Sequence, residues 1–196
     1  MSPFDSKYDH YLAGSATLTP DELRGLAIFE DPERGNCASC HPSRRGPDGE
    51  PPMFTTFGYA NLGLPRYANS EFYAQPAALN PLGASYVDHG LMTTTGDPSQ
   101  DGKFRIPTLR NVARTAPYGH NGYFASLPYF LDFLNTRDVG STSVGTCSRA
   151  TATATCAWPA PEVPATVDRE HTGHLGLSQA DLDALTAFLE TLTDRR

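Results

Sequence analysis

The sequence predicts an all-α domain of modest helices joined by long loops. Three observations predict it. Segments near both ends of the chain carry a helix-capping signal followed by apolar residues at helical spacing. Gly and Pro number 17 each among 196 residues, a content that places loops between the helices. No βαβ pattern is present. Hydrophobic residues make up 39 %, so one globular domain can build its own core.

Residues 1–18 read as an N-terminal arm or linker, with Pro3, Gly14 and scattered aromatics, and 19–196 as the single domain. Thr19-Pro20-Asp21-Glu22 is a helix start, with Thr19 as N-cap, Pro20 in the first turn and Glu22 closing a capping box. Leu23, Leu26, Ala27 and Phe29 follow at helical spacing, and Asp31-Pro32 ends the run. Residues 42–102 are loop-rich, with short helices expected near 69–79 and 83–90. Ser126 caps a helix through Leu127, Phe130, Leu131, Phe133 and Leu134. Residues 138–170, rich in Thr, Ala and Pro, read as a surface loop insertion. Ser178 caps the last helix, whose stripe is Leu182, Leu185, Phe188, Leu189 and Leu192.

The 15 basic and 22 acidic residues give a net charge of −7, which argues against nucleic-acid binding. No apolar run reaches the length of a membrane span. Met1-Ser2-Pro3-Phe4-Asp5 has neither the charged start nor the apolar core of a signal peptide.

The chemistry is concentrated in Cys37-Ala38-Ser39-Cys40-His41. These residues spell C-x-x-C-H, the attachment site of a c-type haem. Two thiols at this spacing can add to the two vinyl groups of one porphyrin, and His41 is then carried beneath the iron as proximal ligand. A structural zinc site would want a second close cysteine pair, whereas the other cysteines are Cys147 and Cys156. There is one such motif, so one covalent haem is expected. Bacterial c-type haem is attached outside the cytoplasm, so a periplasmic location and a mature or trimmed chain are expected. In that oxidising compartment Cys147 and Cys156 read as a disulfide, with two free thiols as the alternative.

Residues 104–124, Phe-Arg-Ile-Pro-Thr-Leu-Arg-Asn-Val-Ala-Arg-Thr-Ala-Pro-Tyr-Gly-His-Asn-Gly-Tyr-Phe, resemble the signature that follows the second haem of bacterial di-haem cytochrome c peroxidases and their MauG-type relatives. Ser2-Pro3-Phe4-Asp5, the Leu23–Phe29 helix and C-x-x-C-H are similar to the same domain. The resemblance covers most of 1–135 and the last helix, and it implies a cytochrome c-like domain, normally the C-terminal half of a two-haem protein. In such folds the first and last helices cross, with Gly25 and Phe29 against Phe188 as candidates here. Arg110, a guanidinium in a Pro-rich loop, reads as a partner for a haem propionate or an interface, a surface arginine being the alternative, and Pro107 and Leu109 would line the haem face. The resemblance further implies Thr115 and Pro117 as backbone donors to an interdomain calcium. His120 matches a histidine placed between the haems, a structural role in its loop being the alternative.

The resemblance also places the distal iron ligand fourteen residues after His120, a Met in peroxidases and a Tyr in MauG-type enzymes. That position is Leu134, which has no donor atom. Three outcomes stay open. The iron is five-coordinate with Leu134 and Phe130 over it, another residue ligates, or the register slips. Met92, 51 residues past His41, is the best substitute, since Met53 lies only 12 residues past it. Met ligation favours electron transfer, whereas an open iron would admit peroxide or a diatomic gas. Peroxide chemistry would also want a distal acid/base, for which Glu71, Asp88 and His89 are candidates by neighbourhood only. The expected function is electron transfer with a redox partner or second haem subunit. The alternatives are peroxide reduction with a second haem module, and gas binding.

Overall fold

The computed structural model describes residues 4–139 and 157–195. Among them, helices α1 (Lys7–Leu12), α2 (Pro20–Glu30), α3 (Met92–Thr95), α4 (Leu127–Thr136) and α5 (Gln179–Glu190) are linked by long loops and single 3₁₀ turns. A two-residue antiparallel ladder joins β1 (Tyr59–Ala60) to β2 (Phe104–Arg105), with Tyr59 opposite Arg105. The domain is therefore mostly helical rather than strictly all-α. No helix among the described residues is long and apolar enough to cross a membrane.

The principal packing is α2 across α5. Both begin with complete capping boxes, Thr19 with Glu22 and Ser178 with Asp181, which satisfy otherwise orphaned amides. Gly25 sits at the crossing. A Cβ there would lie 2.0 Å from the Ala184 carbonyl oxygen and 2.8 Å from the Phe188 Cβ, so only glycine lets the backbones approach this closely. Phe29 and Phe188 meet edge-on with centroids 5.1 Å apart, as the helix crossing requires.

Within the expected 1–18 arm, residues 6–12 pack on the domain. Ser6 and Asp9 form a third capping box, Tyr8 is buried edge-on against Phe188, and its amide donates to the Thr191 carbonyl at 3.1 Å. A six-residue helix is too short for its periodicity to register in sequence. The helices expected near 69–79 and 83–90 are shorter too, being the 3₁₀ turns Glu71–Ala74 and Gly83–Ser85.

On α4 the buried side chains include Leu127, Leu131 and Phe133. Ser126 stands at its N-cap without a side-chain capping bond. Asn135 is buried and behaves as a piece of backbone: its Nδ2 donates to the Leu177 carbonyl and its Oδ1 accepts from the Leu177 amide, both at 2.9 Å. Of the expected 138–170 insertion, residues 140–156 lie outside the described residues, and with them Cys147 and Cys156. The rest is built into the domain. Trp158 packs edge-on against Phe133, Val163 is buried, and the Glu162 amide donates to the Leu64 carbonyl.

Candidate functional site

Helix α2 delivers the chain to the C-x-x-C-H motif through a tight turn. Gly35 lies against the end of α2, where a Cβ would be 2.2 Å from the Ile28 carbonyl oxygen. Asn36 then adopts a left-handed conformation (φ 48°) and opens the 3₁₀ turn Cys37–Ser39. The Cys40 and His41 amides both donate to the Cys37 carbonyl, at 3.2 and 2.9 Å. This turn places two cysteines and the histidine on one compact unit.

Cys37 and Cys40 are half-buried and not joined to each other. Burial pushes the Cys37 thiol up to about 12, and it raises Cys40 too, with the Asp168 carboxylate adding to the effect. A reactive thiolate centre needs the opposite, an electropositive setting that lowers the thiol pKa. Two neutral, unpaired thiols suit thioether formation.

His41 is held by its Nδ1, which lies 2.7 Å from the Phe54 carbonyl oxygen. A carbonyl only accepts, so Nδ1 carries the proton and Nε2 keeps its lone pair. Metal-ligating histidines are oriented by such outer contacts. Burial also lowers the His41 pKa, only partly opposed by the Phe54 bond, so the ring is neutral near pH 7. Phe54 in turn is fixed: its φ is +50°, its side chain is buried, and its ring meets Phe29 edge-on. The donor set of two thiols and one free Nε2 fits a covalent haem.

The loop around Phe54 also ties the motif to the 104–110 segment. The Thr56 amide donates to the Cys40 carbonyl at 2.9 Å. Thr55 Oγ1 donates to the Ile106 carbonyl and Thr108 Oγ1 to the Met53 carbonyl, both at 2.6 Å. Leu109 is half-buried against the core, whereas Pro107 is exposed.

Arg110 is buried in this segment. Its guanidinium forms a bidentate pair with Asp9, with N–O distances of 2.8 and 2.9 Å, and its Nε donates to the Pro52 carbonyl at 2.9 Å. The side chain is 3 % exposed. Its fork holds a protein carboxylate here, so Arg110 ties α1 to the 104–110 segment. Sequence gave no sign of this, because Asp9 lies in the segment read as an arm.

Thr115 and Pro117 are exposed, and Thr115 Oγ1 donates to the Val112 carbonyl. His120 stacks face to face on Phe104, centroids 3.5 Å apart and planes 8° from parallel. His120 as a whole is exposed, yet loss of water around its stacked ring pushes its pKa down to about 4 against the pull of Asp88. His120 is thus neutral near pH 7.

Leu134 is half-buried on α4, and Phe130 beside it packs on the core. Met92 opens the four-residue α3, half-buried, and belongs to neither the core nor its rim. Met53 is exposed. Glu71 lies on a surface turn, Asp88 accepts from the Gly90 amide, and His89 pairs with Asp101 at 2.7 Å. None of these bonds connects the three to the C-x-x-C-H turn. Sequence reasoning did not single out Asp168 or His171, whose loop is tied to Asn61 and Arg137 through contacts that no local pattern announces.

No protein-family profile matches the chain. Sequence comparison finds the methylamine utilization protein MauG of Paracoccus denitrificans, 40 % identical over 199 residues, covering 100 % of this chain and 48 % of that protein. The cytochrome-c peroxidase IdrP1 of Pseudomonas sp. (strain SCT) is 32 % identical, over 69 % of this chain and 37 % of its own length. Among solved structures, the di-haem peroxidase BthA of Burkholderia thailandensis superposes with a TM-score of 0.67 at 32 % identity, covering 98 % of this chain and 47 % of that one. The chain spans about half the length, or less, of the relatives it matches. With its C-x-x-C-H turn, its 104–124 segment and these relatives, the chain belongs to the family of MauG and the di-haem cytochrome c peroxidases.

Proposed function

We propose that this chain holds one haem c on Cys37, Cys40 and His41 and works as an electron-transfer module of a MauG- or peroxidase-like system. The observation that carries the reading is the His41–Phe54 contact, which leaves Nε2 free beside two unpaired thiols. When bound, the haem supplies a one-electron iron couple whose potential the axial ligands and surroundings set.

The chain's own residues have definable roles. Phe54 fixes the tautomer and orientation of His41. Thr55, Thr56 and Thr108 lock the surrounding loops, so the ligand is held before any electron arrives. Leu109, Phe130 and Leu134 offer apolar surface that excludes water.

The second reading is hydrogen-peroxide reduction with another haem module. The names of the relatives favour it, since IdrP1 and BthA are peroxidases and each is about twice as long as this chain or longer. In that assembly Thr115 and Pro117 would offer carbonyls to a bridging calcium, and a redox protein or second haem subunit would be the partner. Both readings imply a periplasmic setting, where c-type haem is assembled. Gas binding is the third reading and follows if the iron proves open.

The experiment is a redox titration with stopped-flow mixing of the reduced holoprotein. Reversible one-electron behaviour with slow reaction toward peroxide and CO supports the carrier reading. Rapid peroxide consumption by this chain alone overturns it in favour of the enzyme, and tight CO binding without turnover favours gas binding.

A further inference from the structure

Leu134 has no donor atom, so the distal side needs either another ligand or none. We propose that His171 supplies the distal ligand of the iron, which makes the site a bis-histidine centre; this rests on the haem reading above.

The Thr166–Leu175 stretch is anchored at two places that bear on the site. One anchor is the loop that orients His41. That loop meets His41 at Phe54 and, further along, Asn61 accepts from the Asp168 amide at 2.8 Å. Asn61 also donates to the Val163 carbonyl and to Thr166 Oγ1. The second anchor is α4 at Leu134 itself. The Gly173 amide donates to the Leu134 carbonyl at 2.6 Å and the Leu175 amide to Asn135 at 3.1 Å. Arg137, buried at the end of α4, clamps the stretch by donating to the Asp168 and Thr172 carbonyls at 2.7 and 3.0 Å.

Within this frame His171 carries the carboxylate anchor that a ligating histidine uses. Its Nδ1 lies 3.1 and 3.2 Å from the two Asp168 carboxylate oxygens, and the Asp168 Oδ1 also accepts the His171 amide at 3.0 Å. A carboxylate on Nδ1 leaves Nε2 as the free donor and raises its basicity, the arrangement usual for histidines on metals. The ring is only half-buried, so it can turn inward without losing a packed core position. His174, its neighbour, is exposed, and its ring has no comparable anchor among the described residues. Met92 sits on a helix packed chiefly on the adjoining Pro98–Gln100 turn.

The test uses haem-loaded chain, with covalent haem first verified by pyridine haemochrome. Optical, EPR and near-infrared spectra then report spin state and ligand. The proposal expects a low-spin ferric iron with no thioether charge-transfer band. His171→Ala should lose the low-spin signal and gain CO binding in the ferrous form. His171→Met should stay low-spin and acquire the thioether band, a gain that a misfolded variant would not give. A high-spin wild type overturns the proposal. So does a low-spin signal that survives His171→Ala, or one abolished by Met92→Ala or His174→Ala instead. Absence of covalent haem overturns the underlying reading separately, before any spin state is measured.

Discussion

Asp9 and Arg110, 101 residues apart in the sequence, meet as a bidentate ion pair inside the domain, with N–O distances of 2.8 and 2.9 Å. Burial alone would raise the Asp9 pKa. Its bonds to Arg110 and Ser6 outweigh that and hold it below the usual carboxylate value. The pair thus fastens α1 to the 104–110 segment behind the C-x-x-C-H turn.

Removing one partner strands the other charge in a buried setting. Arg110→Ala or Asp9→Ala should each cost about 3–5 kcal/mol, read as a shift in urea midpoint. Because the folded Asp9 pKa is depressed, its stabilising contribution is present above the unfolded pKa of about 3.9. It is lost as pH falls through that value toward the lower folded pKa. Acid titration of the wild type should show this loss and Asp9→Asn should lack it; an unchanged acid limb would contradict the pairing.

Gly25 should tolerate nothing larger. Gly25→Ala places a methyl 2.0 Å from the Ala184 carbonyl oxygen, and relief requires α2 and α5 to part. The expected loss is about 1–3 kcal/mol, seen as a lower Tm. A Tm equal to wild type would mean that the helices do not cross at this glycine.

The helix crossing was legible because capping boxes and apolar stripes are local signals. Thr19 with Glu22, and Leu182 through Leu192, write their structure into a few adjacent residues. The C-x-x-C-H turn was legible for the same reason. What sequence could not show was pairing across long separations. Arg110 pairs with Asp9 across 101 residues, Asn135 imitates a strand partner for Leu177, and Trp158 packs on the core from a segment whose composition reads as surface. The Phe54 carbonyl that orients His41 is a backbone atom, to which residue identity gives no clue.

Asn135 offers a second structural test. Asn135→Ala removes the bonds to both the amide and carbonyl of Leu177 and leaves two buried backbone groups unsatisfied. A loss of about 1–3 kcal/mol is expected, with faster amide exchange at Leu177. Unchanged exchange there would show that the side chain does not bridge α4 to the start of α5.

His120 should be silent as a titrating group near neutrality. With its pKa pushed down to about 4, it stays neutral from pH 5 to 8. NMR of the ring should show no titration shift across that interval. A midpoint near the unperturbed value of about 6.5 would mean the ring does not sit desolvated on Phe104.

The most direct test of the account is whether this chain carries covalent haem through Cys37 and Cys40. The protein should be expressed with a c-type maturation system and examined by intact mass and pyridine haemochrome. The account predicts one haem per chain, a single thioether with a shifted haemochrome band in Cys37→Ser or Cys40→Ser, and no covalent haem in the double variant. A wild-type chain without covalent haem, or one whose haem survives loss of both cysteines, would contradict it.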